Sequence, residues 1–131
     1  MAPVRLRLAA ALTMLLIAAP AGALAARLTG TNRSDRLVGT AGADTIDGRA
    51  GNDTLLGEAG NDLLIGGLGR DRIIAGSGND SIAANGDAAR DTIACGPGRD
   101  IVNADPGDSV ARDCEVTSRQ ISTDTNRKSV V

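Results

Sequence analysis

From Gly30 to Ala83 the chain repeats itself every nine residues without a break. The frames read GTNRSDRLV, GTAGADTID, GRAGNDTLL, GEAGNDLLI, GGLGRDRII and AGSGNDSIA. The sixth position is aspartate in all six: Asp35, Asp44, Asp53, Asp62, Asp71 and Asp80. The eighth is always a large aliphatic: Leu37, Ile46, Leu55, Leu64, Ile73 and Ile82. Glycine holds the fourth position except at Arg33, and the first except at Ala75. A fixed short period of this kind is the signature of a solenoid, in which one small unit is stacked on copies of itself.

What the chain lacks narrows its chemistry. Among 131 residues there is no Phe, Trp, Tyr or His. Without imidazole, Ser-His-Asp and Cys-His catalysis and the histidine-bearing zinc sites are excluded. Without aromatic rings there is no stacking platform for single-stranded nucleic acid. A net charge of −2 provides no field for binding polyanions. These absences argue against an enzyme and against a nucleic-acid partner.

The frames resemble the glycine-rich nonapeptide G-G-x-G-x-D-x-U-x of the repeat-in-toxin family, or hemolysin-type calcium-binding repeats, U being a large aliphatic. The resemblance is close over residues 30–83 and looser over 84–116. It implies an all-β fold, a right-handed parallel β-roll (a β-solenoid) with two repeats per coil and calcium between successive turns. Each GxxGxD stretch is then a turn, and each following x-U-x a three-residue strand.

Elementary chemistry agrees with that implication. A chain that turns sharply every nine residues needs conformations with φ > 0, which glycine adopts without a Cβ penalty. Small turn residues leave carbonyl oxygens bare, and calcium takes six to eight oxygens from carbonyls and carboxylates together. The six aspartates and the turn glycines Gly48, Gly51, Gly57, Gly60, Gly66 and Gly69 are therefore the candidate ligand set. Only the aliphatic at position eight is expected to point inward. With eighteen residues per coil, Asp35, Asp53 and Asp71 line one edge, and Asp44, Asp62 and Asp80 the other. Carboxylates stacked about 4.8 Å apart repel one another, and a divalent cation between them reverses the sign. The pairs Asp35/Asp53, Asp53/Asp71, Asp44/Asp62 and Asp62/Asp80 predict about four calcium sites, with folding and metal binding as one event. Arg33 makes Asp35 the least secure ligand, while Arg70, beside Asp71, is expected to project to solvent.

The flanks read differently. Arg5 and Arg7, the uncharged run Leu8–Ala19, Pro20 and the Ala23-Leu24-Ala25 pattern are those of a secretory signal peptide over residues 1–25. That run falls short of the ~20 apolar residues a spanning helix requires, so the mature chain is expected to be secreted, with no membrane span. An oxidising destination favours one disulfide between Cys95 and Cys114, the alternative being free or intermolecular thiols. The rhythm loosens after Ala83, with two residues inserted near Gly86-Asp87. Residues 84–116 are expected to cap a calcium-binding β-roll spanning 26–116, and Asp91 and Asp100 are candidates to extend the ladder. Residues 117–131 are expected to be a disordered tail. The glycosylation-like triplets at Asn32, Asn52 and Asn79 are read as by-products of the repeat. The functional expectation is a secreted, non-enzymatic calcium-binding protein. An extracellular adhesion module, or an accessory module related to secreted toxins or hydrolases, is the alternative. The outward seventh positions (Arg36, Thr45, Thr54, Leu63, Arg72 and Ser81) form no threonine ladder, which argues against ice binding.

Overall fold

Period-two alternation within a nine-residue frame dictates very short strands, and short strands survive only when many are stacked. A computed structural model of the protein describes residues 24–118. Nearly all of the expected signal segment, and the tail beyond residue 118, lie outside the described residues.

Among the described residues eleven strands follow one another: β1 Arg27–Thr29, β2 Arg36–Val38, β3 Thr45–Asp47, β4 Thr54–Leu56, β5 Leu63–Ile65, β6 Arg72–Ile74, β7 Ser81–Ala84, β8 Thr92–Ala94, β9 Ile101–Ala104, β10 Ser109–Val110 and β11 Glu115–Ser118. Odd-numbered strands form one sheet, in the order β1-β3-β5-β7-β9-β11. The even strands β2, β4, β6, β8 and β10 form the other. Every pairing is parallel, and the two sheets alternate along the chain to make a β-solenoid of about five turns. Each strand from β2 to β6 occupies positions seven to nine of its repeat, as the frame predicts.

Register is locked by the aliphatics. Leu28, Ile46, Leu64, Ile82 and Val102 stack in one sheet, and Leu37, Leu55, Ile73, Ile93 and Val110 in the other. All ten are buried, and together they form a narrow double column that serves as the core. A slip of one residue would turn each of them to solvent, which is why the pattern fixes the pairing. Replacing fully buried Ile73 by Ala is expected to cost about 2–5 kcal/mol, measured by urea unfolding in saturating calcium; a change under about 0.5 kcal/mol would show that this column does not carry the fold.

Three features differ from the sequence expectation. The solenoid starts one strand before the first frame, because Leu28 lies eighteen residues before Ile46 and supplies the missing aliphatic. Position eight does not face inward alone: residues two apart on a strand share a face, so the position-six aspartates and the small residue that opens the next frame also point inside. The segment 84–116 extends both sheets through β8, β9, β10 and the start of β11, rather than only covering an end. Its two inserted residues are absorbed in the turn at 85–90, since Ile73 still pairs with Ile93. Cys95, fully buried at a frame-opening position, is disulfide-bonded to Cys114 with a Cα–Cα distance of 5.3 Å, fastening the last coil.

Candidate metal centre

Each turn delivers its aspartate to the inside of the coil, and the coils deliver the aspartates to one another. On one edge the backbone N–H of Asp35 donates to Asp53 Oδ1, that of Asp53 to Asp71 Oδ1, and that of Asp71 to Asp91 Oδ1, all at 2.8 Å. Asp91 N–H continues to Asp108 Oδ1 at 2.9 Å. On the opposite edge Ala26, Asp44, Asp62 and Asp80 donate in turn to Oδ1 of Asp44, Asp62, Asp80 and Asp100. All nine carboxylates are buried, none more than 7% exposed. The six sequence-chosen aspartates thus occupy the two edges expected of them, and Asp91, Asp100 and Asp108 prolong both ladders.

The second carboxylate oxygen divides the turns into two kinds. Oδ2 of Asp53, Asp62, Asp71, Asp80 and Asp100 is buried and has no hydrogen-bond partner. An orphaned buried acceptor of this sort is costly, more so when charged. In the first two repeats the same atom is satisfied. Asp35 Oδ2 accepts from Thr31 N–H at 2.6 Å and from Thr31 Oγ1 at 2.8 Å. Asp44 Oδ2 accepts from the backbone N–H and hydroxyl of Thr40.

Burial is the main force on the middle carboxylates. It pushes Asp62 and Asp71 up to about 7 and Asp91 to about 6, with like charges along the ladder adding to it and the hydrogen bond to Oδ1 opposing it. Asp53 and Asp80 are raised for the same first reason.

The glycines define the space beside the orphaned oxygens. Gly48, Gly57 and Gly66 open their frames on the inside of the coil, each next to the carboxylate of its own repeat. A Cβ at Gly48 would lie 2.5 Å from the carbonyl oxygen of Gly66 and 2.7 Å from Asp53 Oδ2. A side chain there would crowd both oxygens, and both are of the kinds, carbonyl and carboxylate, that calcium takes as ligands. Gly51, Gly60 and Gly69 sit at the turn, and at Gly69, with φ +111°, an added Cβ would fall on the carbonyl oxygen of Gly51 one coil below. Among the described residues no three acidic or cysteine side chains are grouped to hold a metal. Any ion here must therefore draw on backbone carbonyls as well as aspartate.

Two contributors escape the sequence reading. Asn52 Oδ1 accepts from Arg70 N–H, Asn61 Oδ1 from Asn79 N–H, and Asn79 Oδ1 from Arg99 N–H, each at 2.9 Å. Asparagine at position five thus builds an outer ladder parallel to the inner one, and its recurrence in three of six frames was the available signal. Asp87 and Asp105 continue the outer bonding past the insertion, accepting from Gly69 N–H and Gly86 N–H. Arg70 itself is exposed, as expected.

Comparison with known proteins supplies one match. The family model described as "RTX calcium-binding nonapeptide repeat (4 copies)" fits residues 29–64, 57–88 and 84–111, more than half of the chain. No curated protein and no solved structure matches it.

Proposed function

Because the chain belongs to the RTX calcium-binding nonapeptide repeat family, whose repeats bind calcium as a β-roll, we propose that it is an exported, non-enzymatic calcium-binding protein that folds when it meets external calcium. The observation that carries this reading is the row of five buried carboxylate oxygens without partners, two on one edge and three on the other. Calcium would neutralise the stacked carboxylates and complete the coordination of the carbonyl oxygens beside them. Asp53, Asp62, Asp71, Asp80 and Asp100 would hold the ion, with turn carbonyls such as that of Gly66. Four sites between stacked carboxylates fit the number of coils.

Export is supported by the basic, apolar and small-x-small order of residues 1–25 and by a disulfide, which an oxidising compartment favours. A non-enzymatic role is supported by the equivalence of the aspartates: each holds the same turn position and none is set apart as an acid or base. Among the described residues no helix is long and apolar enough to cross a membrane.

Equilibrium dialysis against calcium tests the proposal. The protein is expected to bind about four ions, and Asp71→Asn, which keeps the shape and the Oδ1 acceptor, to bind fewer. A protein that takes up no calcium at ten millimolar would refute it.

A further inference from the structure

We propose that the first coil takes no calcium: Thr31 and Thr40 stand in for the ion at Asp35 and Asp44. Residues 26–47 are then a metal-independent cap, and the calcium ladder begins one coil later. The inference rests on the calcium reading above and assigns which turns use the ion.

The carboxylate of Asp44 is fully engaged. Oδ1 accepts from Ala26 N–H at 2.6 Å and Thr40 Oγ1 at 3.0 Å, and Oδ2 from Thr40 N–H at 2.5 Å and Thr40 Oγ1 at 3.1 Å. Three donors, the N–H of Ala26 and the N–H and single hydroxyl proton of Thr40, thus cover both oxygens, so neither is orphaned as Oδ2 is in the later turns. The hydroxyl also places a donated proton where a cation would need a bare oxygen. Each threonine is held from behind as well, Thr31 Oγ1 accepting from Arg33 N–H and Thr40 Oγ1 from Gly42 N–H, both at 3.1 Å. Thr40 is itself 3% exposed, a built-in part of the turn.

Position two of the repeat makes the difference. In the third to sixth frames it holds Arg49, Glu58, Gly67 and Gly76, all with φ between 72° and 102°. Their backbones are turned away from their own aspartates: Arg49 N–H donates to Asp47, and Gly76 N–H to the Cys95 carbonyl. A β-branched residue is a genuine outlier at positive φ. Threonine therefore holds position two in the other conformation, where its N–H and hydroxyl both reach the carboxylate. Thr31 and Thr40 are absent from the positive-φ residues. On the edge that ends at Asp108 the far end is closed in a comparable way, Asp108 Oδ2 accepting from Asp105 N–H at 2.7 Å.

The ladder is thus satisfied by the protein at its first coil on both edges and at Asp108 on one edge, while on the other edge the orphaned oxygens run through to Asp100. The orphaned oxygens place the calcium-bearing pairs at Asp53/Asp71, Asp62/Asp80 and Asp80/Asp100, and Asp91, which continues the inner ladder from Asp71, completes a fourth as Asp71/Asp91. Their number stays near four while the set moves one coil toward the C-terminus, bringing in Asp91 and Asp100.

Calcium counted per chain by equilibrium dialysis, with folding followed by circular dichroism, decides the matter. Asp44→Asn is expected to bind as many ions as the parent, whereas Asp80→Asn binds fewer. Loss of an ion in Asp44→Asn would overturn the inference. Should Asp44→Asn fail to fold, Thr40→Gly carries the test, since freeing Asp44 is expected to add one ion per chain; a folded Thr40→Gly with the parental count would overturn the inference. A parent that binds no calcium would sink the calcium reading and the inference together, an outcome distinct from any change confined to the variants.

Discussion

Chelating calcium at neutral pH is expected to abolish the β-sheet signal of this protein in circular dichroism, and restoring the ion to bring it back cooperatively near millimolar concentration, the range of extracellular calcium modules. The five middle carboxylates explain the size of the effect. Each has one oxygen satisfied by the coil before it and one buried with nothing to bond. An ion held in that way and left unpaired costs several kcal/mol, while a whole domain is stable by about 5–15 kcal/mol. Two or three such charges are enough to exhaust the margin. The threonine-locked coil does not rescue the structure alone, because it encloses only Leu28, Leu37 and Ile46. A β spectrum that survives exhaustive chelation at pH 7.5 would overturn the expectation.

Acid should do without calcium what calcium does at neutral pH. Asp62 and Asp71 are pushed up to about 7 and Asp91 to about 6 by burial, whereas in the unfolded chain they titrate near the ordinary 3.8. Folding without metal therefore takes up protons between those limits. Groups raised in this direction support the fold fully below about pH 4, and their support is lost as pH climbs through 6 to 7. The metal-free protein, a coil at pH 7.5, is expected to gain β signal steadily as pH is lowered to 4. Calcium added at pH 4 should change little, since the ion needs the ionised form. A metal-free spectrum that stays coil-like from pH 7.5 to 4 would show that repulsion among these carboxylates is not what calcium relieves.

The strands, their order and the two aspartate edges could be read from the sequence because one physical rule sets all of them: the eighth residue must be inside every time. Leu37 and Leu55, or Ile46 and Leu64, are enough to place eighteen residues in a coil. What escaped was local. That Asp53 would receive the N–H of Asp35 depends on how closely two turns stack, and a repeat pattern does not carry that distance. Thr31 and Thr40 look like ordinary turn residues until their hydroxyls are seen on Asp35 and Asp44. Asn52 and Asn79 look like incidental triplets in the sequence because their oxygens work one coil away along the stack, beyond what neighbouring residues reveal. The broken spacing after Ala83 suggests a cap, yet the turn at 85–90 takes up the extra residues and leaves the strand register unchanged.

The same tolerance bears on how such a molecule is inherited. The hydrogen bonds of the inner ladder join a coil only to the one next to it, across seventeen to twenty residues. Nothing in the interior therefore registers how many coils there are. A tandem duplication of residues 48–65 in the gene would insert one more coil, with two more carboxylates, and every existing contact would find an equivalent partner. Length is free to drift by slippage in such a gene while the two specialised ends stay in place, so lineages can differ in ion capacity without having to reinvent a fold.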